Sequence, residues 1–127
     1  MSLRSPLGRV LGHGAAKEGV HHWWVQRLTS LALIPLTVWF VISLIAMPSF
    51  EYGTVHAWVA QSWTALLLIL FIAIGTWHSK LGVQVVVEDY VHGGLKTLSL
   101  IVSTFAHTLV AAAAIFAVLK VAFGMAP

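Results

Sequence analysis

The sequence predicts an all-α membrane protein with three transmembrane helices and a cytoplasmic N-terminus, and three observations lead to this prediction. Of the 127 residues, 59% are hydrophobic and only 9% are charged, whereas soluble domains usually carry about 25% charged residues. The apolar residues form long blocks, of roughly the twenty residues that a helix needs to cross the hydrocarbon core. A chain this short could not bury so much apolar surface within itself, so the bilayer is its natural solvent.

The composition also excludes several classes of site. The sequence contains no cysteine, which excludes a disulfide scaffold, a thiol nucleophile, a zinc site with cysteine ligands and a bound iron–sulfur cluster. Only four acidic residues are present, which disfavours a paired-carboxylate catalyst. The formal net charge is +3, but the basic residues form no stripe. We therefore interpret them as topology signals and expect no nucleic-acid partner.

We divide the sequence into an N-terminal segment and a three-helix membrane anchor. Residues 1–27 are mixed and polar, and no apolar region follows the start closely enough for a cleaved signal peptide. They are predicted to be an ordered or semi-ordered cytoplasmic segment. Residues 28–127 form the anchor, with spans predicted at about 28–47, 59–87 and 95–123.

Span one, Leu28–Met47, has no charged residue, and Trp23 and Trp24 at its entrance mark a membrane interface. Pro35 lies inside it, which membrane helices tolerate with a kink. The stretch Pro48–Val55 is predicted to be a short turn.

The second and third spans are bounded by aromatic, acidic and glycine residues. Trp58 and Trp63 mark the start of span two, and Glu88–Tyr90 ends it. The pair Gly93 and Gly94 predicts a tight turn. Span three follows it and is rich in alanine and valine.

The distribution of lysine and arginine predicts the orientation. Basic residues precede span one and flank the second loop, whereas the first loop has none. The positive-inside rule then places the N-terminus and the second loop in the cytoplasm, and the first loop and C-terminus outside. Lys120 opposes this only weakly, because a long side chain near a helix end can extend to the interface. The residues that set the orientation are Arg4, Arg9, Lys17, Arg27, Lys80 and Lys96.

His78 is the most informative polar residue in the spans. It lies eleven residues before Asp89, or about 16 Å along a helix, near the middle of the membrane. Ionisable residues at that depth are usually functional, and a neutral imidazole can be an axial haem ligand. The alternative is a histidine that is hydrogen-bonded to a neighbouring helix.

The helical period places His78 and Asp89 on one face, because eleven residues return to within about 20° of the start. Gly75 and Gly82 lie about 60° and about 40° from His78, on the same side. Small residues there allow close approach of a bulky planar group, and equally of another helix.

Three polar residues near the cytoplasmic rim are candidates for a quinone site. The Tyr90 hydroxyl could donate a hydrogen bond to a quinone carbonyl, and Asp89 could orient it or relay protons. The alternative is a tyrosine of the interfacial belt beside a helix-ending acid. Arg27 could pair with Asp89, bind a haem propionate or contact a quinone, or it could be a simple positive-inside anchor.

Two further intramembrane residues complicate this interpretation. Lys80 lies about 200° around the helix from His78 and points away from the proposed cofactor face. His107 in span three lies at a depth similar to that of His78, because the two spans are antiparallel. A pair of ligands from one chain is therefore conceivable, although a packing role for His107 is favoured by the sequence alone.

The segment His78–Val91 resembles the signature of the hydrophobic membrane anchor of succinate dehydrogenase (complex II). That family has a histidine on its second span, a glycine four residues later and an Asp-Tyr pair eleven and twelve residues after the histidine; His78, Gly82, Asp89 and Tyr90 have these spacings. Arg27 resembles the family's arginine ahead of span one, and the three-span plan is also similar.

The resemblance implies a cofactor and partners. The family's chain pairs with a second membrane anchor subunit, which also has three spans, and the two hold one haem b with one histidine from each. His78 matches the ligand of the haem iron, Tyr90 the quinone-contacting tyrosine, and Asp89 and Arg27 its neighbours. Lys80 departs from the family, which more often has an apolar or aromatic residue there, and His107 is a second candidate ligand.

The resemblance also implies the reaction of the whole assembly. Two soluble partners, a flavoprotein subunit and an iron–sulfur subunit, bind on the cytoplasmic side and oxidise succinate, and electrons pass to ubiquinone. This joins the tricarboxylic acid cycle to the respiratory chain. The chain would then have no catalytic residue of its own and would act only as a subunit of succinate:quinone oxidoreductase.

Two other functions stay open at this point. One is a haem-free structural anchor of a membrane-bound enzyme, in which His78 only packs. The other is a small proton-coupled transporter with Lys80, Asp89 and His107 as a relay. It is disfavoured because span one offers only hydroxyl residues to a polar path. The absence of a long transit segment favours the bacterial inner membrane over the mitochondrial one.

Overall fold

The computed structural model describes residues 15–124, with side chains from residue 19 onward, and this part of the chain contains helices and no strand. The helices are α1 (Ala15–Ile45), α2 (Tyr52–Ala60), α3 (Ser62–Tyr90) and α4 (Gly94–Ala122). Three of them, α1, α3 and α4, are long and apolar enough to cross a membrane. The predicted all-α fold with three spans is thus confirmed. Residues 1–14 of the predicted N-terminal segment lie outside the described residues.

The helix bounds differ from the predicted spans at the start of α1 and in the region between α1 and α3. Helix α1 begins at Ala15, well before Leu28, so the described part of the N-terminal segment already belongs to the first membrane helix. The stretch Pro48–Val55 was predicted to be a turn, but α2 begins within it at Tyr52. Gln61 has an extended backbone and separates α2 from α3, so the second membrane helix begins later than the predicted residue 59.

Aromatic packing explains why a separate short helix forms there. The Trp58 ring of α2 stacks on Trp39 of α1, with ring centroids 6.1 Å apart and planes at 19°. Phe40 stacks in turn on Phe71 of α3, with centroids 5.1 Å apart. Each such pair contributes about 0.5–1.5 kcal/mol beyond its buried area. This cluster fixes α2 at the end of the bundle remote from Tyr90.

Helices α1 and α3 pack antiparallel through two glycines. A Cβ placed on Gly75 would lie 3.8 Å from Leu33, and one on Gly82 would lie 3.9 Å from the amide nitrogen of Gln26. Of the two roles that the sequence left open for these glycines, the structure shows close approach of a helix. The register brings the first half of α1 beside the second half of α3, where His78 lies.

The turn between α3 and α4 depends on a glycine. Gly93 has φ 66° and ψ −150°, a conformation that only glycine adopts without strain. Lys96 then donates a hydrogen bond from Nζ to the carbonyl oxygen of Glu88, at 3.2 Å. The turn therefore fixes the end of α3, and with it the two residues that follow Glu88.

Little of the described chain is buried within itself. Only a few of the described residues are buried, with 4–8% of their surface exposed: Thr64, Ala65, Leu68, Leu81 and Val118. Large apolar residues are exposed along every membrane helix. With so small a hydrophobic core among the described residues, such a bundle needs lipid or other membrane helices against most of its faces.

Candidate functional site

His78 lies at the contact between α3 and α1, two residues from the midpoint of α3. Its side chain is half-buried. The ring nitrogen Nδ1 lies 2.9 Å from Oγ1 of Thr29, and Nε2 lies 3.4 Å from the amide nitrogen of Gln26. Both ring nitrogens therefore face polar groups of α1.

A shallow groove of about 400 Å³ runs along α1 beside this imidazole. Apolar side chains and two hydroxyls form its wall, and it is open on the outer side of the bundle. It is lined by Ser30, Leu33, Ile34, Thr37, Val38 and His78. A neutral imidazole beside an apolar wall suits an axial haem ligand. The chain provides this wall on one side of the groove only, so a second chain would have to cover the open side.

His107 is in a different environment. Its Nδ1 lies 2.8 Å from the carbonyl oxygen of Ser103, one turn earlier in α4, and its Nε2 lies 3.2 Å from the hydroxyl oxygen of Ser79. Since a carbonyl can only accept, Nδ1 carries the proton, and in the neutral ring Nε2 accepts from Ser79. Both nitrogens are then occupied within this chain, as expected for a packing histidine.

The rim residues Asp89 and Tyr90 form the last turn of α3, and both are exposed, Tyr90 to 80%. Because α3 is one continuous helix, Asp89 and His78 share a face as predicted. The carboxylate and the phenol thus lie exposed at the end of the bundle.

Arg27 lies deeper than these two residues. The α1–α3 register places it near the level of Leu81, about 14 Å along the axis from Tyr90. Its guanidinium lies over the Trp23 ring, 5.0 Å from the centroid. No hydrogen bond or ion pair among the described residues joins Arg27 to Asp89. Of the roles that the sequence left open for Arg27, a pairing with Asp89 is therefore not found within this chain.

Lys80 points away from His78, as the helical period predicted. Its Nζ lies over Trp77, 5.3 Å from the ring centroid, so the side chain extends back towards the middle of α3 and not towards the rim. It borders a groove of about 350 Å³ between α3 and α4, on the face that also carries His107. Lys80 and His78 therefore face different surroundings.

Two residues that contact His78 were missed in the sequence reasoning. Gln26 was not considered, and Thr29 was included only among the hydroxyl residues of span one. With His22 they occupy one face of α1, at spacings of four and three residues, which is a signal that the sequence contains. His22 Nε2 and Gln26 Oε1 are buried without a hydrogen-bond partner, so only some of the polar atoms on this face form hydrogen bonds.

Comparison with known proteins identifies the family to which the chain belongs. The model of the succinate dehydrogenase/fumarate reductase transmembrane subunit family matches residues 1–119. The chain belongs to this family. The resemblance seen in the sequence is thereby confirmed, and the membership together with the three apolar helices makes the chain a multi-pass membrane protein.

Individual members of the family are similar over most of the chain. A protein of Rickettsia conorii, named succinate dehydrogenase hydrophobic membrane anchor subunit, is 30% identical over 81% of this chain and 84% of its own length. A protein of Paracoccus denitrificans with the same name is 29% identical over 98% of this chain and 96% of its own length. No solved structure matches the chain.

Proposed function

We propose that this chain is the hydrophobic membrane anchor subunit of a succinate dehydrogenase. In this proposal, His78 is one axial ligand of a haem b that is shared with a second anchor subunit. The end of the bundle that carries Asp89 and Tyr90 forms part of the ubiquinone-reduction site. Family membership and the names of the relatives support the role of anchor. The further partners are an iron–sulfur subunit and a flavoprotein subunit. The bacterial inner membrane is the location that the Paracoccus and Rickettsia relatives favour.

The observation that carries the haem proposal is the contrast between the two intramembrane histidines. Both nitrogens of His107 are engaged within the chain. The Nε2 of His78 has only a long contact of 3.4 Å to an amide nitrogen. One histidine is thus available as a ligand, and the second axial ligand would come from the partner anchor subunit.

Bound at His78, haem b would supply a one-electron carrier inside the membrane. The residues of this chain would hold it. His78 would provide the lone pair of Nε2, and Leu33, Ile34 and Val38 would form an apolar wall that excludes water from that side. Gly75 and Gly82 contribute indirectly, since they bring α1 close enough to contact the imidazole.

The proposed quinone site lies at the rim, where electrons from a soluble subunit need not cross the membrane. The Tyr90 hydroxyl would donate a hydrogen bond to a quinone carbonyl and stabilise the negative charge that develops there. Asp89 would orient that hydroxyl and pass protons to it. Arg27, between the levels of His78 and Tyr90, would provide a positive charge on the same end of the bundle.

Purification of the complex through a tag on this chain tests the proposal. We expect flavoprotein and iron–sulfur subunits to co-purify, succinate to reduce ubiquinone, and a reduced-minus-oxidised absorbance spectrum to contain a b-type haem band. Co-purification without a haem band would leave a haem-free structural anchor and overturn the haem assignment. A chain that purifies alone would overturn the role of anchor.

A further inference from the structure

Thr29 joins His78 to the backbone of α1. Its Oγ1 lies 2.9 Å from the carbonyl oxygen of Val25 and 3.0 Å from that of Gln26. The same oxygen lies 2.9 Å from Nδ1 of His78. Three polar atoms thus surround one hydroxyl group, which has a single proton to donate.

Counting protons fixes the direction of these bonds. Both carbonyl oxygens can only accept, so a Thr29 proton directed at His78 would leave the hydroxyl oxygen about 3 Å from each carbonyl oxygen with no proton between them. When the hydroxyl donates to the backbone instead, its lone pair accepts from Nδ1–H of His78. The arrangement therefore favours the imidazole tautomer with the proton on Nδ1.

The tautomer leaves a lone pair on Nε2, the atom that faces Gln26. The amide nitrogen of Gln26 can donate to it, but the contact is long, at 3.4 Å, and the amide oxygen of the same side chain is buried without a partner. A buried polar atom without a partner destabilises the arrangement that contains it. Gln26 therefore covers Nε2 only weakly.

We propose that Thr29 is a positioning residue that sets the tautomer and orientation of His78 for metal binding, and that Gln26 is a displaceable cap on the metal-accepting nitrogen. The inference rests on the proposed haem site. It extends that site to two residues of α1 that do not touch the iron. Histidine ligands generally depend on such a partner for the second ring nitrogen, and its loss weakens metal binding about 10–100-fold.

The variant Thr29→Val tests the positioning role, because it removes the acceptor and keeps the side-chain shape. Thr29→Ser retains the hydroxyl and should restore binding. Thr108→Val is the matched control, since the hydroxyl of Thr108 donates only to the Thr104 carbonyl of its own helix. All variants are made in the complete membrane-bound complex, in which the partner subunits report correct assembly.

The first measurement uses complex assembled in haem-deficient cells, with ¹⁵N NMR of His78. We expect the Nδ1–H tautomer to dominate in the wild-type chain, in Thr29→Ser and in Thr108→Val, and to lose its dominance in Thr29→Val. An unchanged tautomer in Thr29→Val would overturn the inference. This measurement needs no bound haem, so its outcome is independent of the proposed haem function.

The second measurement is the affinity of the same complexes for added haemin, followed by absorbance. We expect Thr29→Val to bind about 10–100-fold more weakly than Thr108→Val, and equal affinities would overturn the positioning role. Gln26→Leu should take up haemin faster than Gln84→Leu, whose amide donates to Glu88 on its own helix. Slower or equal uptake would overturn the cap. Haemin bound equally well by His78→Leu would instead overturn the proposed function.

Discussion

The Nε2 atom of His107 lies 3.2 Å from the hydroxyl oxygen of Ser79, the residue next to His78. This contact ties α4 to α3 at the depth of the proposed haem ligand. It also engages the only nitrogen of His107 that could otherwise accept a metal, because Nδ1 is bonded to the Ser103 carbonyl. The contact supports a packing role for His107 and leaves His78 as the proposed ligand.

A double-mutant cycle tests the packing role of His107. Single variants His107→Leu and Ser79→Ala and the double variant are compared by denaturant unfolding of the complex in detergent. We expect a coupling energy of about 0.6 kcal/mol, the average for hydrogen bonds between membrane helices. Additive effects of the two substitutions would mean that the contact contributes nothing to stability.

The Tyr90 hydroxyl is expected to matter for quinone reduction. Tyr90→Phe removes one hydrogen-bond donor and little volume, so succinate:ubiquinone activity should fall at least about tenfold, or about 1.4 kcal/mol in the barrier. Succinate oxidation with a soluble artificial acceptor should be unchanged. Tyr52→Phe is the matched control, because Tyr52 is equally exposed, at 82%, but begins α2 at the other end of the bundle. Equal ubiquinone rates in both variants would contradict the role of Tyr90.

The turn that follows Tyr90 should be intolerant of a side chain at one of its two glycines. Gly93 has a positive φ of 66°, so Gly93→Ala should destabilise the folded chain by about 1–3 kcal/mol. Gly94 is the first residue of α4, and a Cβ there meets nothing within 4 Å, so Gly94→Ala should be nearly neutral. Thermal unfolding of the two variant complexes measures the difference, and equal midpoints would contradict the account of the turn.

The predicted orientation can be measured by cysteine labelling, because the chain has no cysteine of its own. Glu51→Cys places a thiol in the first loop and His92→Cys places one in the second, at exposed positions. In intact cells, a membrane-impermeant maleimide should label Glu51→Cys only, and in inverted vesicles it should label His92→Cys only. The opposite pattern would reverse the orientation derived from lysine and arginine.

The sequence predicted the coarse fold because its signals are strong over long stretches. Apolar runs of about twenty residues have few alternatives to a membrane helix, and each of α1, α3 and α4 contains one. The helix α2 was missed because its formation depends on stacking of Trp58 on Trp39, which is a tertiary contact. The early start of α1 was missed because mean hydropathy falls before Leu28 while helical geometry continues.

The position of His78 along α3 and the face that it shares with Asp89 also followed from the sequence, since both depend only on helical rise and period. The partners of its ring nitrogens did not, because they depend on the register between α1 and α3. That register places Thr29 and Gln26 opposite His78, and it also places Arg27 below the rim. Spacing along α1 shows that these residues share a face, but it does not show which residue of another helix that face contacts.

The central claim is that His78, and not His107, is this chain's ligand to haem b. Reduced-minus-oxidised absorbance spectra of purified wild-type, His78→Leu and His107→Leu complexes test it most directly, with co-purification of the partner subunits as the control for assembly. We predict a b-type haem band in the wild-type and His107→Leu complexes and its loss or strong reduction in the assembled His78→Leu complex. A band retained in His78→Leu and lost in His107→Leu would contradict the account.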